Sequence, residues 1–188
     1  MLLVNCCPLV QHRGMAATTT SARCHASDSI QPSAGQSRAA VDWGALRVAG
    51  MCIGVCNYKY MSVLNNAVRD AEQVNKKLNA VPKCRSDTVL DPTTKVDLKN
   101  KIRNRLQETR LQAKPPDLFW LYYAGHAIEL KNGEVYLVPT DAKLEHAADD
   151  CEDECLGLDI VMKLLRDHLD QPARLEKTKE VVFLVVLD

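Results

Sequence analysis

The sequence has 188 residues, of which 46% are hydrophobic and 26% are charged, and its formal net charge at pH 7 is zero. This is enough chain for one domain with a sizeable core, preceded by a tail. The balanced charge creates no global field that favours nucleic acid or an anionic membrane. No apolar run approaches the ~20 residues of a membrane-spanning helix. We therefore expect neither nucleic acid nor a membrane as a partner.

The eight cysteines are scattered and do not form the paired C-x-x-C spacing of a zinc site. Without a convincing secretory signal, they indicate reduced thiols in an intracellular protein, which we place in the cytoplasm. The first forty residues are rich in small and hydroxyl side chains, and no acid precedes Asp28. That composition resembles an organelle transit peptide. The alternatives are a disordered leader, or a start codon placed too early, with Met15 or Met51 as the true start. We predict residues 1–45 to be a disordered leader and 46–188 to be the folded domain.

Four elements are predicted in the first half of the domain. Val48–Val55 is an apolar strand, and apolar residues at three- and four-residue steps predict a helix over Leu64–Leu78. A short second strand covers Thr88–Leu90. Thr94 and Asp97 form a capping pair for the next helix, whose buried stripe is Leu98, Ile102 and Leu106.

The second half begins with Leu118–Tyr123, a run of apolar and aromatic residues that predicts a buried strand. After an Asn-Gly turn signal, Glu134–Val138 is a short strand. A polar stretch with five acids follows, and it is interpreted as a solvated loop. Leu158, Val161, Leu164 and Leu165 indicate another helix, and the apolar run Val181–Leu187 a final strand. Strands alternating with helices predict an α/β fold with a mainly parallel sheet.

His126 stands where the strand Leu118–Tyr123 ends, because Gly125 permits a sharp backbone exit. In an open parallel sheet, ligands and chemistry collect at this edge. A histidine at such a position is a candidate functional residue, and the alternative is a satisfied core histidine.

Several motifs in order resemble the large-subunit half of a caspase-like cysteine peptidase (peptidase family C14). They are Cys52-Ile53-Gly54 with Tyr58, Leu64-Asn65-Asn66-Ala67 through Asp70-Ala71 and Leu78, Tyr122-Tyr123-Ala124-Gly125-His126, Tyr136-Leu137-Val138-Pro139 with Asp141, and Val181–Asp188. The Asn-Ala-x-x-Asp-Ala and Tyr-Tyr-Ala-Gly-His motifs are closer to metacaspases and paracaspases than to animal caspases. The resemblance implies a three-layer sandwich with helices on both faces of a sheet in the order second, first, third, fourth strand.

The resemblance makes His126 the base and acid partner of a cysteine nucleophile in an endopeptidase. A thiol with a pKa near ~8.5 must become a thiolate, and a neighbouring imidazole makes and holds that state. The backbone N–H of Ala127 would be one donor to the oxyanion. The family usually has Gly at this position, and Ala restricts φ.

In the family the nucleophile follows the fourth strand in an Asp-x-Cys pattern, so we expect it one or two positions beyond Asp188. The 188 residues are therefore expected to be C-terminally truncated, a gene-model fragment or a non-catalytic form, carrying half of a Cys–His dyad and inactive as given. Cys56, at the end of the first strand, is the alternative nucleophile. Cys151 and Cys155 lie among acids, whose negative field suppresses thiol reactivity.

No cofactor is expected. The acids Asp149, Asp150, Glu152, Asp153 and Glu154, together with His146, are a candidate calcium site, although their spacing matches no EF-hand. Asp70 matches an acid that lines the pocket for a basic residue in metacaspases and paracaspases, and the alternative is a helix-surface acid. Leu64 falls where animal caspases have the arginine that selects Asp, which argues against Asp specificity.

The implied partners are a peptide or protein substrate and either a complementary C-terminal half or a second copy in a homodimer. A different class of function is a pseudo-peptidase or interaction module, since the fourth strand would be an exposed apolar edge that invites pairing. A nucleotide-binding α/β domain is disfavoured because neither a G-x-G-x-x-G nor a G-x-x-x-x-G-K-[ST] pattern occurs.

Overall fold

The computed structural model describes residues 2–6, 45–112, 116–145, 147–169 and 182–188. In these residues the chain forms eight strands and four helices. They are β1 (Leu2–Cys6), β2 (Val48–Gly54), α1 (Ala67–Asn79), β3 (Cys84–Leu90), α2 (Lys95–Arg110), β4 (Leu118–Ala124), β5 (Ala127–Glu129), β6 (Val135–Leu137), α3 (Ala147–Glu154), β7 (Leu156–Gly157), α4 (Leu158–Leu169) and β8 (Val182–Leu187).

The main sheet has the order β1-β8-β4-β2-β3. Strands β3, β2, β4 and β8 are parallel to one another, and β1 alone is antiparallel. This confirms the mainly parallel sheet and the order second, first, third, fourth strand. A small antiparallel sheet, β5-β6-β7, extends from the end of β4.

The sheet lies between two helical layers. Successive side chains of each strand point to opposite faces of the sheet, so each strand packs against both layers. In β2, Met51 and Ile53 belong to the large apolar cluster that contains the buried residues of α2 and α4. Cys52, between them, belongs to a second cluster with Ala67 and Ala71 of α1. The predicted three-layer α/β sandwich is therefore confirmed.

Helix α2 begins as its sequence predicts. The side chain of Thr94 accepts a hydrogen bond from the backbone N–H of Asp97 at 3.1 Å, so the capping pair is confirmed. Its predicted stripe is buried, with Leu98, Ile102 and Leu106 at most 1% exposed.

Strand β3 is longer than predicted, since it begins at Cys84 rather than at Thr88. The added residues alternate, with Cys84 and Ser86 buried and Arg85 and Asp87 exposed. Because this strand lies at the edge of the sheet, polar residues on its solvent side conceal the apolar pattern.

The acidic stretch forms helix α3, which corrects the interpretation as a solvated loop. Cys151 lies in the last turn of α3, and Cys155 directly follows the helix, with its N–H donating to the Cys151 carbonyl at 3.1 Å. Both thiols are fully buried in the large apolar cluster. Their packing gives the stretch a buried face that its composition does not indicate.

The outer edge of β8 is occupied by β1, which pairs with it in antiparallel register from Leu2 opposite Leu187 to Cys6 opposite Phe183. The expectation of an exposed fourth-strand edge is therefore wrong, because pairing satisfies the edge N–H and C=O groups. This strand lies within the segment 1–45 expected to be disordered, and residues 7–44 of that segment lie outside the described residues. Among the described helices, none is long and apolar enough to cross a membrane.

Candidate functional site

The candidate site lies where the carboxyl ends of β2, β4 and β8 meet at one edge of the sheet. Gly54 of β2 pairs with Ala124 of β4, and Tyr123 of β4 pairs with Leu187 of β8. His126 therefore leaves the sheet next to the residue that follows β8, at the edge where ligands collect in open parallel α/β sheets.

The main chain of His126 is held on both sides. Its N–H donates a 2.7 Å hydrogen bond to the hydroxyl of Tyr58. Its carbonyl oxygen accepts bonds from the Val138 N–H at 3.1 Å and from the Tyr123 hydroxyl at 3.2 Å. The rings of Tyr58 and His126 also pack against each other, with centroids 4.6 Å apart and planes tilted by 48°.

The imidazole has a defined partner on one nitrogen. His126 Nε2 lies 2.8 Å from the carbonyl oxygen of Ser62. Because a carbonyl only accepts hydrogen bonds, the neutral ring carries its proton on Nε2 and a lone pair on Nδ1. The ring is half-buried, so Nδ1 is the nitrogen at which this residue would take up or release a proton.

Ala127 begins β5 and stands opposite Leu137 of β6. On either side of Ala127, the backbone hydrogen bonds between the two strands run from the Val138 N–H to the His126 carbonyl and from the Leu130 N–H to the Glu134 carbonyl. This spacing puts Ala127 at a non-hydrogen-bonded position of the antiparallel pair, where its own N–H is directed away from β6. Its φ is not positive, so an alanine is accommodated here without the freedom of glycine.

The loop that carries Tyr58 is anchored by Asp91, which sequence reasoning did not identify as part of the site. Its carboxylate accepts bonds from the N–H groups of Cys56 at 2.7 Å and Asn57 at 3.1 Å. Asp91 has φ of 43°, a left-handed conformation that aspartate tolerates better than most residues. The available signal was an Asp-Pro pair directly after β3, which marks a turn.

Tyr58 and Tyr123 both keep their protons far above neutral pH. Burial raises the pKa of Tyr58 to about 12. Burial also raises the pKa of Tyr123 well above its usual value. Both phenols therefore remain neutral hydrogen-bonding groups beside His126 across the physiological range.

Asp70, the predicted substrate-binding acid, lies in the first turn of α1 at the same edge of the sheet. A Cβ on Gly54 would lie 2.7 Å from the Ala67 carbonyl oxygen, so the absence of a side chain lets α1 pack directly on the end of β2. The pKa of Tyr122 is raised by burial first, then by Asp188 and by the charge of Asp70. Asp188 accepts the Tyr122 hydroxyl at 2.6 Å, and it is an acid at this edge that was not among the predicted site residues.

Cys56, the alternative nucleophile, does not face the imidazole. Its thiol is buried and accepts a 3.2 Å hydrogen bond from the N–H of Val68 in α1. It packs in the cluster on the α1 side of the sheet, whereas Tyr58, which holds His126, belongs to the cluster on the opposite side. The structure therefore does not support Cys56 as the partner of His126.

The candidate calcium site gains no support from the described acids. Among the described residues, no three His, Cys, Asp or Glu side chains are placed to hold a metal ion. His146 and the side chain of Asp149 lie outside the described residues.

Of the two cysteines in this stretch, Cys155 has its pKa raised to about 12, first by burial and then by the neighbouring Cys151.

The fold and the site define an α/β domain with a partly exposed histidine at the carboxyl edge of a parallel sheet. Residues 49–184 match the caspase-domain model of peptidase family C14. The chain therefore belongs to the caspase-domain family, and its fold agrees with that membership. A search of curated proteins found no match.

Proposed function

We propose that this domain is the large-subunit half of a cysteine endopeptidase of the metacaspase or paracaspase type, with His126 as the base and acid of a Cys–His dyad. The observation that carries the proposal is the imidazole, whose Nε2 is bound to the Ser62 carbonyl and whose Nδ1 is left as the basic nitrogen. The nucleophile in this proposal belongs to chain that follows Asp188 in a longer form of the protein.

The position of Asp188 supports this arrangement. Its N–H donates a 2.9 Å bond to the Tyr123 carbonyl, and its own carbonyl accepts a bond from the Gly125 N–H at 3.4 Å. Asp188 thus lies beside the peptide that leads into His126. Each further residue spans at most about 3.6 Å, so a cysteine one or two positions later would lie within reach of the imidazole.

The chemistry follows from these groups. The cysteine transfers its thiol proton to Nδ1 of His126, and the thiolate attacks the carbonyl carbon of the scissile peptide bond. The negative oxygen that forms would accept the N–H of Ala127, which is directed away from β6. The imidazolium then gives its proton to the leaving amine, and a water molecule that loses a proton to Nδ1 hydrolyses the acyl-enzyme.

The acids at this edge support a preference for lysine or arginine before the scissile bond. Asp70 lies in the first turn of α1 at this edge of the sheet, and Asp188 follows β8 there and accepts the Tyr122 hydroxyl. A cationic side chain would be attracted there, and an acidic one repelled. The proposed partners are a peptide or protein substrate and a complementary C-terminal half or second copy. We retain a cytoplasmic location and no obligatory cofactor as predictions.

The test is to sequence the transcript beyond Asp188 and to assay the encoded protein on fluorogenic peptides that end in Arg, Lys or Asp. We expect a cysteine codon within two positions and cleavage after Arg or Lys that His126→Ala abolishes. The matched control is His168→Ala, which removes a histidine of α4 whose Nδ1 contacts the Leu164 carbonyl. Cleavage that survives His126→Ala would overturn the proposal.

A pseudo-peptidase or interaction module is the second candidate from the sequence. Its supporting feature was an exposed apolar edge at β8, and Leu2–Cys6 occupies that edge. A transcript without the cysteine codon, together with no thiol-dependent cleavage, would favour this non-catalytic function.

A further inference from the structure

The hydroxyls of Tyr58 and Tyr123 hold the two ends of the same residue. Tyr58 Oη accepts the His126 N–H at 2.7 Å. Tyr123 Oη has a single proton, which is shared between the Val138 carbonyl at 2.8 Å and the His126 carbonyl at 3.2 Å. We call Tyr58 and Tyr123 the tyrosine clamp.

The clamp requires a residue without a side chain beside it. A Cβ placed on Gly125 would lie 2.8 Å from Tyr58 Oη and 2.9 Å from Tyr123 Oη. Such distances are too short for real contacts, so any side chain here would displace the hydroxyls. The glycine before His126 thus allows two phenols to reach the main chain at the point where it leaves β4.

The clamp controls two groups of the proposed chemistry at once. Tyr58 sets the position of the His126 backbone and packs on its ring. Tyr123 and the Val138 N–H hold the carbonyl of the peptide that joins His126 to Ala127. Because the C=O and N–H of a trans peptide point in opposite directions, holding this carbonyl inward aims the Ala127 N–H outward.

We propose that Tyr58 is a positioning residue for His126 and, together with Tyr123, for the Ala127 N–H. The assignment rests on the proposed function, in which His126 is the base and Ala127 the oxyanion donor. A phenylalanine at either position would fill the same space but would not bond the His126 main chain. The hydroxyls therefore serve orientation rather than volume.

The test uses Tyr58→Phe in the 188-residue chain, with Tyr136→Phe as the matched control. Tyr136 is also a buried tyrosine, but its hydroxyl donates to Glu134 at 3.0 Å. The measurements are the imidazole nitrogen shifts of His126 and the hydrogen-exchange rates of the His126 and Ala127 amides, all by NMR.

We expect Tyr58→Phe to move the imidazole nitrogens from a single Nε2–H pattern toward a mixture of tautomers. We also expect the His126 amide to exchange about fivefold faster or more, the loss associated with one hydrogen bond. Tyr136→Phe should change neither quantity. Signals of His126 that are the same in Tyr58→Phe and in Tyr136→Phe would overturn the proposal.

The unsubstituted chain provides a measurement that does not depend on a variant folding. The clamp requires its His126 amide to be protected from exchange, and an unprotected amide in the folded chain would overturn the proposal. In the longer form with its cysteine, Tyr58→Phe should lower kcat about tenfold with KM unchanged, and an unchanged kcat would refute the positioning role. If no form of the protein cleaves peptides, the proposed peptidase function is refuted. The NMR measurements on the 188-residue chain still decide whether the tyrosine clamp orients His126.

Discussion

The hydroxyl of Tyr122 donates a 2.6 Å hydrogen bond to Oδ2 of Asp188. Tyr122 lies near the end of β4 and Asp188 directly follows β8, so this bond joins the carboxyl ends of two neighbouring parallel strands. The Asp188 N–H adds a 2.9 Å bond to the Tyr123 carbonyl. Together they direct the chain leaving β8 toward the peptide that carries His126.

Tyr122→Phe should lower the free energy of unfolding by about 1 kcal/mol, because one hydrogen bond is lost while the ring is kept. The measurement is urea denaturation at neutral pH. Tyr60→Phe is the control, since Tyr60 is 60% exposed and its substitution should change stability by less than about 0.5 kcal/mol. Equal effects of the two substitutions would contradict a role for the Tyr122–Asp188 bond.

If the proposed longer, cysteine-containing form exists, Asp70→Asn should reduce its kcat/KM for arginine-ending peptides at least about tenfold, because it removes the carboxylate proposed to face the cationic side chain of the substrate. The measurement compares Arg- and Asp-ending fluorogenic peptides. Glu72→Gln, an exposed acid on the same helix, tests for a mere change of net charge. An identical loss in both variants would mean that Asp70 does not contact the substrate.

The stability of the chain should fall between about pH 10 and pH 12. Burial raises the pKa of Tyr58 from 10.0 to about 12, so the unfolded chain loses this proton first. The stabilisation by neutral Tyr58 is fully present below pH 10 and is lost as the pH rises through 12. Thermal unfolding across this range measures the decline. Tyr58→Phe should make it shallower, and an unchanged slope would show that Tyr58 is not its source.

Arg105→Ala should destabilise the chain by about 2–4 kcal/mol, because it removes a nearly buried guanidinium that serves two strands. Arg105 donates to the Gly50 carbonyl at 3.1 Å and the Arg85 carbonyl at 3.0 Å, and it pairs with Asp87 at 2.7 Å.

The control for Arg105→Ala is Arg103→Ala on the same helix, where the guanidinium contacts Asn100 at 3.2 Å. We expect this substitution to cost less than about 1 kcal/mol in urea denaturation. A loss in Arg105→Ala no larger than this would contradict its role in joining α2 to β2 and β3.

Cys155 should resist alkylation in the native chain and react once the chain is unfolded. Burial, followed by the proximity of Cys151, raises its pKa to about 12, and the thiolate is the reactive form. Iodoacetamide labelling at pH 8 with and without urea, read by mass spectrometry of the Cys155 peptide, measures this protection. Rapid labelling of Cys155 in the native chain would show that α3 does not pack as described.

Local patterns predicted most of the main sheet and its helices. The apolar runs of β2, β4 and β8 and the stripe of α2 repeat with the period of the element they form, so each is visible without its neighbours. The capping pair of Thr94 and Asp97 is likewise a local signal. His126 was identified because Gly125 follows directly on an apolar strand.

Other features depended on contacts that are distant in the sequence. The exposed side of β3 is polar because it lies at the sheet edge, and the acidic stretch forms a helix that buries Cys151 and is followed by the buried Cys155. The pairing of Leu2–Cys6 with β8 joins the two ends of the chain. No local pattern carries such information, because burial and pairing are properties of the neighbours and not of the segment.

The sequence by itself determined the α/β class and the histidine at the end of an apolar strand, because hydrophobic periodicity and turn residues act locally. The order of the main strands was implied by the resemblance to the caspase-like family. Only the tertiary structure decided how that histidine is held. Tyr58 lies 68 residues from His126 and Ser62 lies 64 residues from it, and folding brings both against one imidazole. The orientation of this imidazole is set by such distant partners, since a side chain's geometry depends on what packs against it.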